Sequence, residues 1–398
     1  MKSSTAALLA ATLLGASSGA CSAILGYDDV SDGGSSAGGH GGPLGGGGTT
    51  STGGNGAAAL GGAGGGCPHG WADCGGDGKC LTHIDSDPHN CGACSHDCLA
   101  GECLGFQCQP TLLADPQDLV GTGDAFADAF LCLDSTMVYF TFATLAGDMG
   151  GVGKVTKDGA ALSCVDCGAH RPREIANDGA TLAWVDVGLS AVRRSPLGEG
   201  GSSPTTVLAG NVGSPFAAFG GYGYWLDTTN GSLKITQLQS AGTNDFALNQ
   251  GLLTSIVSAG LLNVYWTTPG AVMTAGSDPS TPVTLLSDRV KPRSLALDMD
   301  HIYWAEGQGN NEDQIWRLPP SGDAPELVAT GPAWAIAVDD SHVYVADHLG
   351  GTIWRALKTG GNPETLASGQ SSPFDIAVDD TAVYWTSEST AQVFKLAK

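Results

Sequence analysis

Short apolar runs separated by polar turns recur along the C-terminal two-thirds of the chain. The run from Asp375 to Trp385 has apolar residues on both sides of a central Asp-Asp-Thr and predicts two strands joined by a tight turn. Aspartate suits such a turn because its side chain hydrogen-bonds nearby backbone amides. The runs that begin at Thr352 and Glu364 predict a third and a fourth strand. The pattern therefore predicts repeated units of four short strands.

An aromatic pair, or a close substitute for it, marks each unit at spacings of 44, 41, 41, 38, 41 and 40 residues. A small residue lies seven positions before each pair, and an aspartate lies five positions before it in five of the seven units. A fixed period of about 40–50 residues with an aromatic strand motif is typical of a β-propeller. The sequence predicts an all-β propeller of seven four-stranded blades over residues 109–398, and a misphased repeat would make it six or eight. The pairs are Tyr139-Phe140, Ala183-Trp184, Tyr224-Trp225, Tyr265-Trp266, Tyr303-Trp304, Tyr344-Val345 and Tyr384-Trp385.

The last repeat lacks a segment for its fourth strand. The string that begins at Asp118, Asp-Leu-Val-Gly-Thr-Gly, is similar to Glu-Leu-Val-Ala-Thr-Gly at Glu326. We expect this N-terminal segment to complete the last blade, which would remove two exposed sheet edges by closing the ring.

The strings Tyr265-Trp-Thr-Thr, Tyr224-Trp-Leu-Asp and Tyr384-Trp-Thr-Ser resemble the YWTD repeats of lipoprotein-receptor propellers. They are also similar to the NHL-like and surface-antigen-type propellers of exported bacterial proteins. The resemblance covers about 290 residues and implies the fold. Seven repeats depart from the usual six of YWTD propellers, and no set of ligand-binding residues transfers from these families.

The N-terminal part of the chain predicts export. Residues 1–20 have the charge and the short apolar stretch of a secretory signal peptide. Cys21 follows Ser-Gly-Ala and resembles the lipidated cysteine of a bacterial lipoprotein, although Ser18 departs from that pattern and ordinary signal cleavage is the alternative. Residues 31–66 include 18 glycines among 36 positions, so we expect 21–66 to be a lipid-attachment site followed by a flexible tether. The predicted location is the outer membrane or cell surface, with a periplasmic or secreted protein as the alternative.

Residues 67–108 form a cysteine-rich segment. Eight cysteines in about forty residues of an exported chain predict four disulfides of undetermined pairing. Zinc binding is the alternative, because Cys91 and Cys94 form a CxxC and several histidines lie nearby. The eight cysteines are Cys67, Cys74, Cys80, Cys91, Cys94, Cys98, Cys103 and Cys108.

Three further cysteines lie in the propeller. We expect Cys164 and Cys167 to form a loop disulfide or to remain inert thiols. Cys132 occupies the small-residue position of its repeat, which predicts a buried free thiol.

The chain is strongly acidic, with 40 Asp and Glu against 17 Lys and Arg and a net charge of −23. This charge argues against nucleic acid and anionic lipid as partners, so membrane contact is expected only through the lipid anchor. We predict no cofactor, with Ca²⁺ at an acidic loop as the alternative.

Propellers usually carry their binding sites on the face where the connections from fourth to first strands and from second to third strands lie. Ten residues before the aromatic position, the first kind of connection offers Arg173, Arg293, Trp334 and Phe374. Three residues after it, the second kind offers Asp186, Asp227, Glu306 and Asp347. We interpret these eight as a candidate binding surface, because aromatic faces stack on sugars or apolar groups and arginine pairs with carboxylates. The alternative is that the acids only form the turns and the aromatic rings plug the axis.

No HExxH, Walker A or EF-hand motif is present. We therefore predict a binding or interaction module for an extracellular carbohydrate, peptide or protein. The first alternative is a propeller hydrolase or lyase with an axial site, for which His348 beside Asp347 is the candidate pair. The second alternative is a structural assembly component.

Overall fold

The computed structural model describes residues 67–76, 79–121, 125–127, 129–145, 149–197, 203–260, 263–275, 281–307 and 313–398. The expected signal peptide, Cys21 and the tether lie outside these residues. No helix in the described ranges is both long enough and apolar enough to cross a membrane.

Seven antiparallel sheets follow one another along the chain, and in each of them the first to fourth strands pair in order. We number these sheets as blades 1 to 7. Blade 1 consists of Leu131–Leu133, Met137–Thr144, Gly150–Thr156 and Leu162–Ala169. A fifth, two-residue strand, Phe126–Ala127, also pairs with its second strand. Blade 2 consists of Pro172–Asn177, Thr181–Asp186, Ala191–Pro196 and Thr205–Ala209. Blade 3 consists of Val212–Phe219, Tyr222–Asp227, Ser232–Gln237 and Thr243–Ala247.

Blades 4 to 7 continue the same pattern. Blade 4 consists of Ser255–Ser258, Val264–Thr268, Ala271–Thr274 and Val283–Leu286. Blade 5 consists of Arg293–Leu297, Ile302–Glu306, Gln314–Leu318 and Glu326–Thr330. Blade 6 consists of Ala335–Val338, His342–Asp347, Thr352–Leu357 and Glu364–Ala367. Blade 7 consists of Pro373–Val378, Ala382–Ser387 and Val393–Ala397, and its fourth strand is Thr111–Ala114 from the N-terminal side. The chain is thus a seven-bladed β-propeller, as the repeat predicts.

Closure of the ring by an N-terminal strand is confirmed, but the residues expected to do it are wrong. Thr111–Ala114 pairs with the third strand of blade 7 in the register Val393↔Ala114, Phe394↔Leu112 and Lys395↔Thr111. The first three residues of the expected string, Asp118–Val120, instead lie in a short helix, Gln117–Val120. Pro116 starts this helix with φ −56°, and Gly121 ends it in the left-handed conformation with φ 62°. These two residues favour a helical turn, although the amino-acid string resembles that of the strand at Glu326.

The aromatic pairs lie in the second strands and are buried in the core between blades, as Tyr344, Tyr384 and Trp385 show. Four of the tyrosines also donate a hydrogen bond to the aspartate five residues earlier, at 2.8–3.0 Å. The other carboxylate oxygen of that aspartate accepts backbone amides of the first turn, as expected. The repeated spacing of Asp and Tyr therefore has a direct structural cause.

The cysteine-rich segment contains four disulfides, as predicted: Cys67–Cys80, Cys74–Cys94, Cys91–Cys103 and Cys98–Cys108. Two short strand pairs accompany them, Trp71–Ala72 with Thr82–His83 and Cys103–Leu104 with Gln107–Cys108. Because all eight sulfurs are paired, the structure gives the zinc alternative no thiolate ligands.

The propeller cysteines are also oxidised. Cys164 and Cys167 form a disulfide within the fourth strand of blade 1. Cys132 is fully buried and disulfide-bonded, so the prediction of a free thiol is wrong. A buried half-cystine is small enough for the same position of the first strand, which is why the repeat pattern did not distinguish the two states.

Candidate functional site

The predicted site residues lie at one end of the strands. In blade 2, for example, Pro172 at the start of the first strand pairs with Asp186 at the end of the second. Asp186 in turn pairs with Ala191 at the start of the third strand. The connections from fourth to first strands and from second to third strands therefore share one face of the ring, which we call the upper face.

Aromatic rings from three blades lie in contact on the upper face. The ring centroids of Trp334 and His348 in blade 6 are 5.0 Å apart, and Trp334 lies 5.9 Å from Phe374 in blade 7. Phe374 contacts Phe130 at the start of blade 1, edge to face at 5.2 Å. We call Phe130, Trp334, His348 and Phe374 the aromatic arc.

The guanidinium of Arg173 ends the aromatic arc, with its Cζ 5.7 Å from the centre of the Phe130 ring. Three of the four residues predicted in the fourth-to-first connections, Arg173, Trp334 and Phe374, are thus connected through ring contacts. Phe130 also contacts them. It lies nine residues before the aromatic position of its repeat, not ten, so the spacing of ten residues did not identify it.

Trp334 differs from the other tryptophans of the chain. All nine lie in the described ranges, and Trp334, at 41 %, is the one whose side chain is exposed. Its position is nevertheless fixed, because His348 and Phe374 pack against it. The arc therefore presents one oriented indole to solvent.

A cleft of about 380 Å³ opens beside Trp334. Residues from blades 4, 5 and 6 form its walls: Thr254, Pro269, Lys291, Pro292, Arg293, Gly307 and Trp334. The apolar parts are prolines and the indole, and the charged side chains that line it, Lys291 and Arg293, are both cationic.

Arg293 holds the Trp334 loop in place. Its guanidinium donates to the carbonyl oxygens of Gly307 at 2.9 Å and Ala333 at 2.6 Å, and to the carboxylate of Asp313 at 2.7 Å. Ala333 precedes Trp334 in the chain, so these bonds connect blade 5 to the backbone that carries the indole. Arg293 positions the site in addition to lining it.

The four predicted acids are buried and bond to groups around them. Asp186 accepts hydrogen bonds from the amides of His170, Arg171 and Leu189. Glu306 accepts from the Trp304 indole at 3.1 Å and from the Arg289 guanidinium, whose Nε lies at 2.8 Å.

The remaining two acids follow the same pattern. Asp227 accepts from the amide and hydroxyl of Thr229, and Asp347 accepts from the amide of Gly350 and the hydroxyl of Thr352. Hydrogen bonds within the turns and bonds to neighbouring basic or indole side chains therefore occupy the oxygens of all four acids, Asp227 also lying 3.6 Å from the ammonium of Lys234.

His348 pairs with a different carboxylate from the one expected. Asp347 bonds within its turn, whereas the Nε2 of His348 lies 3.2 Å from the Oε2 of Glu388 in blade 7. Glu388 occupies the same position in its repeat as His348, four residues after the aromatic. The equal repeat position of the two residues can be seen in the sequence. It does not show that their side chains contact each other between neighbouring blades.

A second carboxylate lies at the start of the blade 7 first strand, directly after Phe374. Asp375 accepts the amides of Leu131 in blade 1 and of Ile376, both at 2.9 Å. Burial raises the pKa of Asp375 to about 7, and the nearby charge of Glu174 acts in the same direction. Asp375 thus changes charge near neutral pH at the edge of the aromatic arc.

No protein-family model and no curated protein matches the chain. Among solved structures, its fold is similar to virginiamycin B lyase from Staphylococcus aureus, with a TM-score of 0.52 and 13 % identity over 73 % of this chain and 98 % of that one. An oligogalacturonate lyase in complex with manganese gives 0.51 and 13 %, over 73 % and 93 %. The WD40 repeats of RRP9 give 0.52 and 9 %, over 73 % and 97 %. At these identities the likeness establishes the propeller fold alone.

Proposed function

We propose that this chain is an exported β-propeller that binds an extracellular carbohydrate, peptide or protein on its upper face, in the cleft beside Trp334. The observation that carries the proposal is the exposed Trp334 indole, held by two neighbouring rings at the edge of a cleft of about 380 Å³. No cofactor is part of the proposal.

The exposed indole fits binding better than stability. Aromatic side chains stabilise a fold by leaving water, and every other tryptophan of this chain is at least partly buried. An indole already fixed by His348 and Phe374 loses little conformational entropy when a ligand stacks on it. Sugar rings, proline rings and aliphatic side chains all offer a face of suitable shape.

Export belongs to the same proposal. Five disulfides join described residues, which is typical of proteins that leave the reducing cytosol. Residues 1–20 would direct export, and the glycine-rich segment that follows would be a flexible linker before the folded part.

The test is a thermal-shift screen of the oxidised protein against cell-envelope polysaccharide fragments, envelope peptides and divalent cations. A ligand at 100 times its Kd would add about 2.7 kcal/mol of stability. For any hit, we expect Trp334→Ala to weaken the affinity at least about tenfold in calorimetry. Trp71→Ala, which removes an indole from the cysteine-rich segment, is the matched control and should bind as the unmodified protein does. Equal affinity of both variants would place the ligand elsewhere.

A propeller hydrolase or lyase is the second candidate, and the contact between His348 and Glu388 favours it. A histidine paired with a carboxylate can act as a general base. In the structure its Nε2 faces Glu388 and its Nδ1 is buried, so the ring would have to turn to reach a substrate. Turnover of a bound polysaccharide fragment that disappears in His348→Phe, which keeps a ring against Trp334 but removes the base, with binding retained, would establish this candidate over a pure binding module.

A further inference from the structure

The cysteine-rich segment packs against the blade that closes the ring. Cys98 and Cys108 belong to the same buried cluster as Leu396 and Ala397 from the third strand of blade 7. The pairs Cys91–Cys103 and Cys98–Cys108 are 0–6 % exposed, so two of the four disulfides are part of a core shared with the propeller. An independent module on a flexible linker would not share a core in this way.

A polar contact joins the same two parts. The imidazole of His96 lies between two carbonyl oxygens, with Nε2 2.8 Å from that of Lys398 and Nδ1 beside that of Cys91, and the neutral ring can donate its one N–H to either of them. The ring therefore bridges the disulfide-bonded segment and the residue that follows the third strand of blade 7.

Leu99 connects this contact to the closing strand. Its side chain packs against the cluster that contains Leu396 and Ala397, and also against a second cluster that contains Leu113 and Ala114. It thus packs against the buried clusters to which both paired strands of blade 7 contribute.

The closing strand is short. Thr111–Ala114 is four residues long and has three residues in register with its partner. Cys108 lies three residues before this strand, and its bond to Cys98 fixes the point where the chain enters the blade. A short strand held at one end loses less conformational entropy on pairing than one that follows a free chain.

We propose that the segment Cys67–Cys108 is a latch that keeps Thr111–Ala114 in blade 7 and thereby keeps the propeller ring closed. Three elements form the latch: the Cys98–Cys108 bond, the contact of His96 with Lys398, and the packing of Leu99 against both clusters. Release of the latch would free the closing strand and leave the third strand of blade 7 as an unpaired sheet edge.

Hydrogen exchange of the full-length oxidised protein, read peptide by peptide, tests the latch. We compare Cys98→Ser/Cys108→Ser with Cys164→Ser/Cys167→Ser, which removes a disulfide of the same chain from the fourth strand of blade 1. We expect the first variant to exchange at least about tenfold faster in Thr111–Ala114 and Val393–Ala397, before global unfolding. The control should leave the exchange of both segments unchanged. Unchanged exchange of blade 7 in the first variant would overturn the proposal.

A second pair of variants keeps every disulfide and answers the same question if the cysteine variant does not fold. His96→Ala and Leu99→Ala each remove one non-covalent part of the latch. We expect faster exchange confined to blade 7 in both, and the largest effect in the double variant. Equal acceleration in all seven blades would show general destabilisation and would also overturn the latch.

Discussion

Tyr344 donates its hydroxyl hydrogen to Asp339, five residues earlier in blade 6, across 2.8 Å. The same carboxylate oxygen accepts the ammonium of Lys398 from blade 7 at 2.6 Å. The pattern recurs, because Lys358 of blade 6 pairs with Asp298 of blade 5, and Lys157 of blade 1 pairs with Asp379 of blade 7. In these three blades the aspartate of the repeat thus closes its own turn and also connects its blade to the next one.

Loss of Asp339 should weaken the contact between blades 6 and 7. Asp339→Asn removes the charge that balances Lys398 and one acceptor for Tyr344, so we expect a loss of about 2 kcal/mol of unfolding free energy. Asp340→Asn, an exposed acid in the same turn, is the matched control and should stay within about 0.5 kcal/mol of the unmodified protein. Urea denaturation measures both, and equal stabilities would contradict a structural role of the ion pair.

Acid should reduce stability through the same residue. Burial opposes ionisation of Asp339, but the Lys398 ammonium, the turn amides and the Tyr344 hydroxyl outweigh it, so its pKa lies below the ordinary 3.8. A carboxyl group with a lowered pKa in the folded state contributes stability that is complete above the unfolded value and disappears as the pH falls below it. The difference in unfolding free energy between the unmodified protein and Asp339→Asn should therefore shrink below about pH 4.

Asp375 should have the opposite pH dependence. Its pKa rises from 3.8 to about 7 in the folded chain, so its stabilising effect is complete below pH 3.8 and is lost as the pH rises through 7. The unfolding free energy of the unmodified protein should fall between pH 4 and 7, by at most about 4 kcal/mol from this group. Asp375→Asn should flatten that slope, whereas the exposed Asp380→Asn should not. Denaturation midpoints across this pH range give the slope, and an unchanged slope in Asp375→Asn would contradict the assignment.

Trp334 should matter little for folding. Because its indole is 41 % exposed, we expect Trp334→Ala to cost about 1 kcal/mol of unfolding free energy or less. The same change at the fully buried Trp304 should cost about 3–5 kcal/mol. Thermal unfolding of the two variants measures the contrast. A large loss in Trp334→Ala would assign this ring to the core and weaken the proposed binding site.

The sequence predicted the features that every blade shares. The small residue, the aspartate and the aromatic pair recur because each has the same contacts in successive blades, as with Asp339 and Tyr344. Features that occur once were missed. The Glu-Leu-Val-Ala-Thr of Glu326–Thr330 is a strand, whereas Asp118–Val120 of the similar string lie in a helix that Pro116 starts and Gly121 ends.

Contacts between blades could not be predicted from the sequence either. Counting positions found Arg173, Trp334 and Phe374, yet it did not show that Glu388 meets His348 across two blades. It gave no sign that His96 bonds Lys398, 302 positions away. Periodicity reports on local structure, and such pairs depend on how neighbouring blades pack.

The last prediction concerns Arg293, which acts through the Trp334 loop. Arg293→Lys keeps the charge but cannot donate to Gly307, Asp313 and Ala333 at once, because an ammonium lacks the planar fork of a guanidinium. We expect the variant to fold and to bind an upper-face ligand about tenfold less tightly, with increased mobility of the indole. Lys291→Arg, in the same cleft wall, is the matched control. Calorimetry gives the affinities, and tryptophan fluorescence anisotropy reports the mobility. A weaker affinity without any change in anisotropy would mean that Arg293 contacts the ligand directly instead of positioning Trp334.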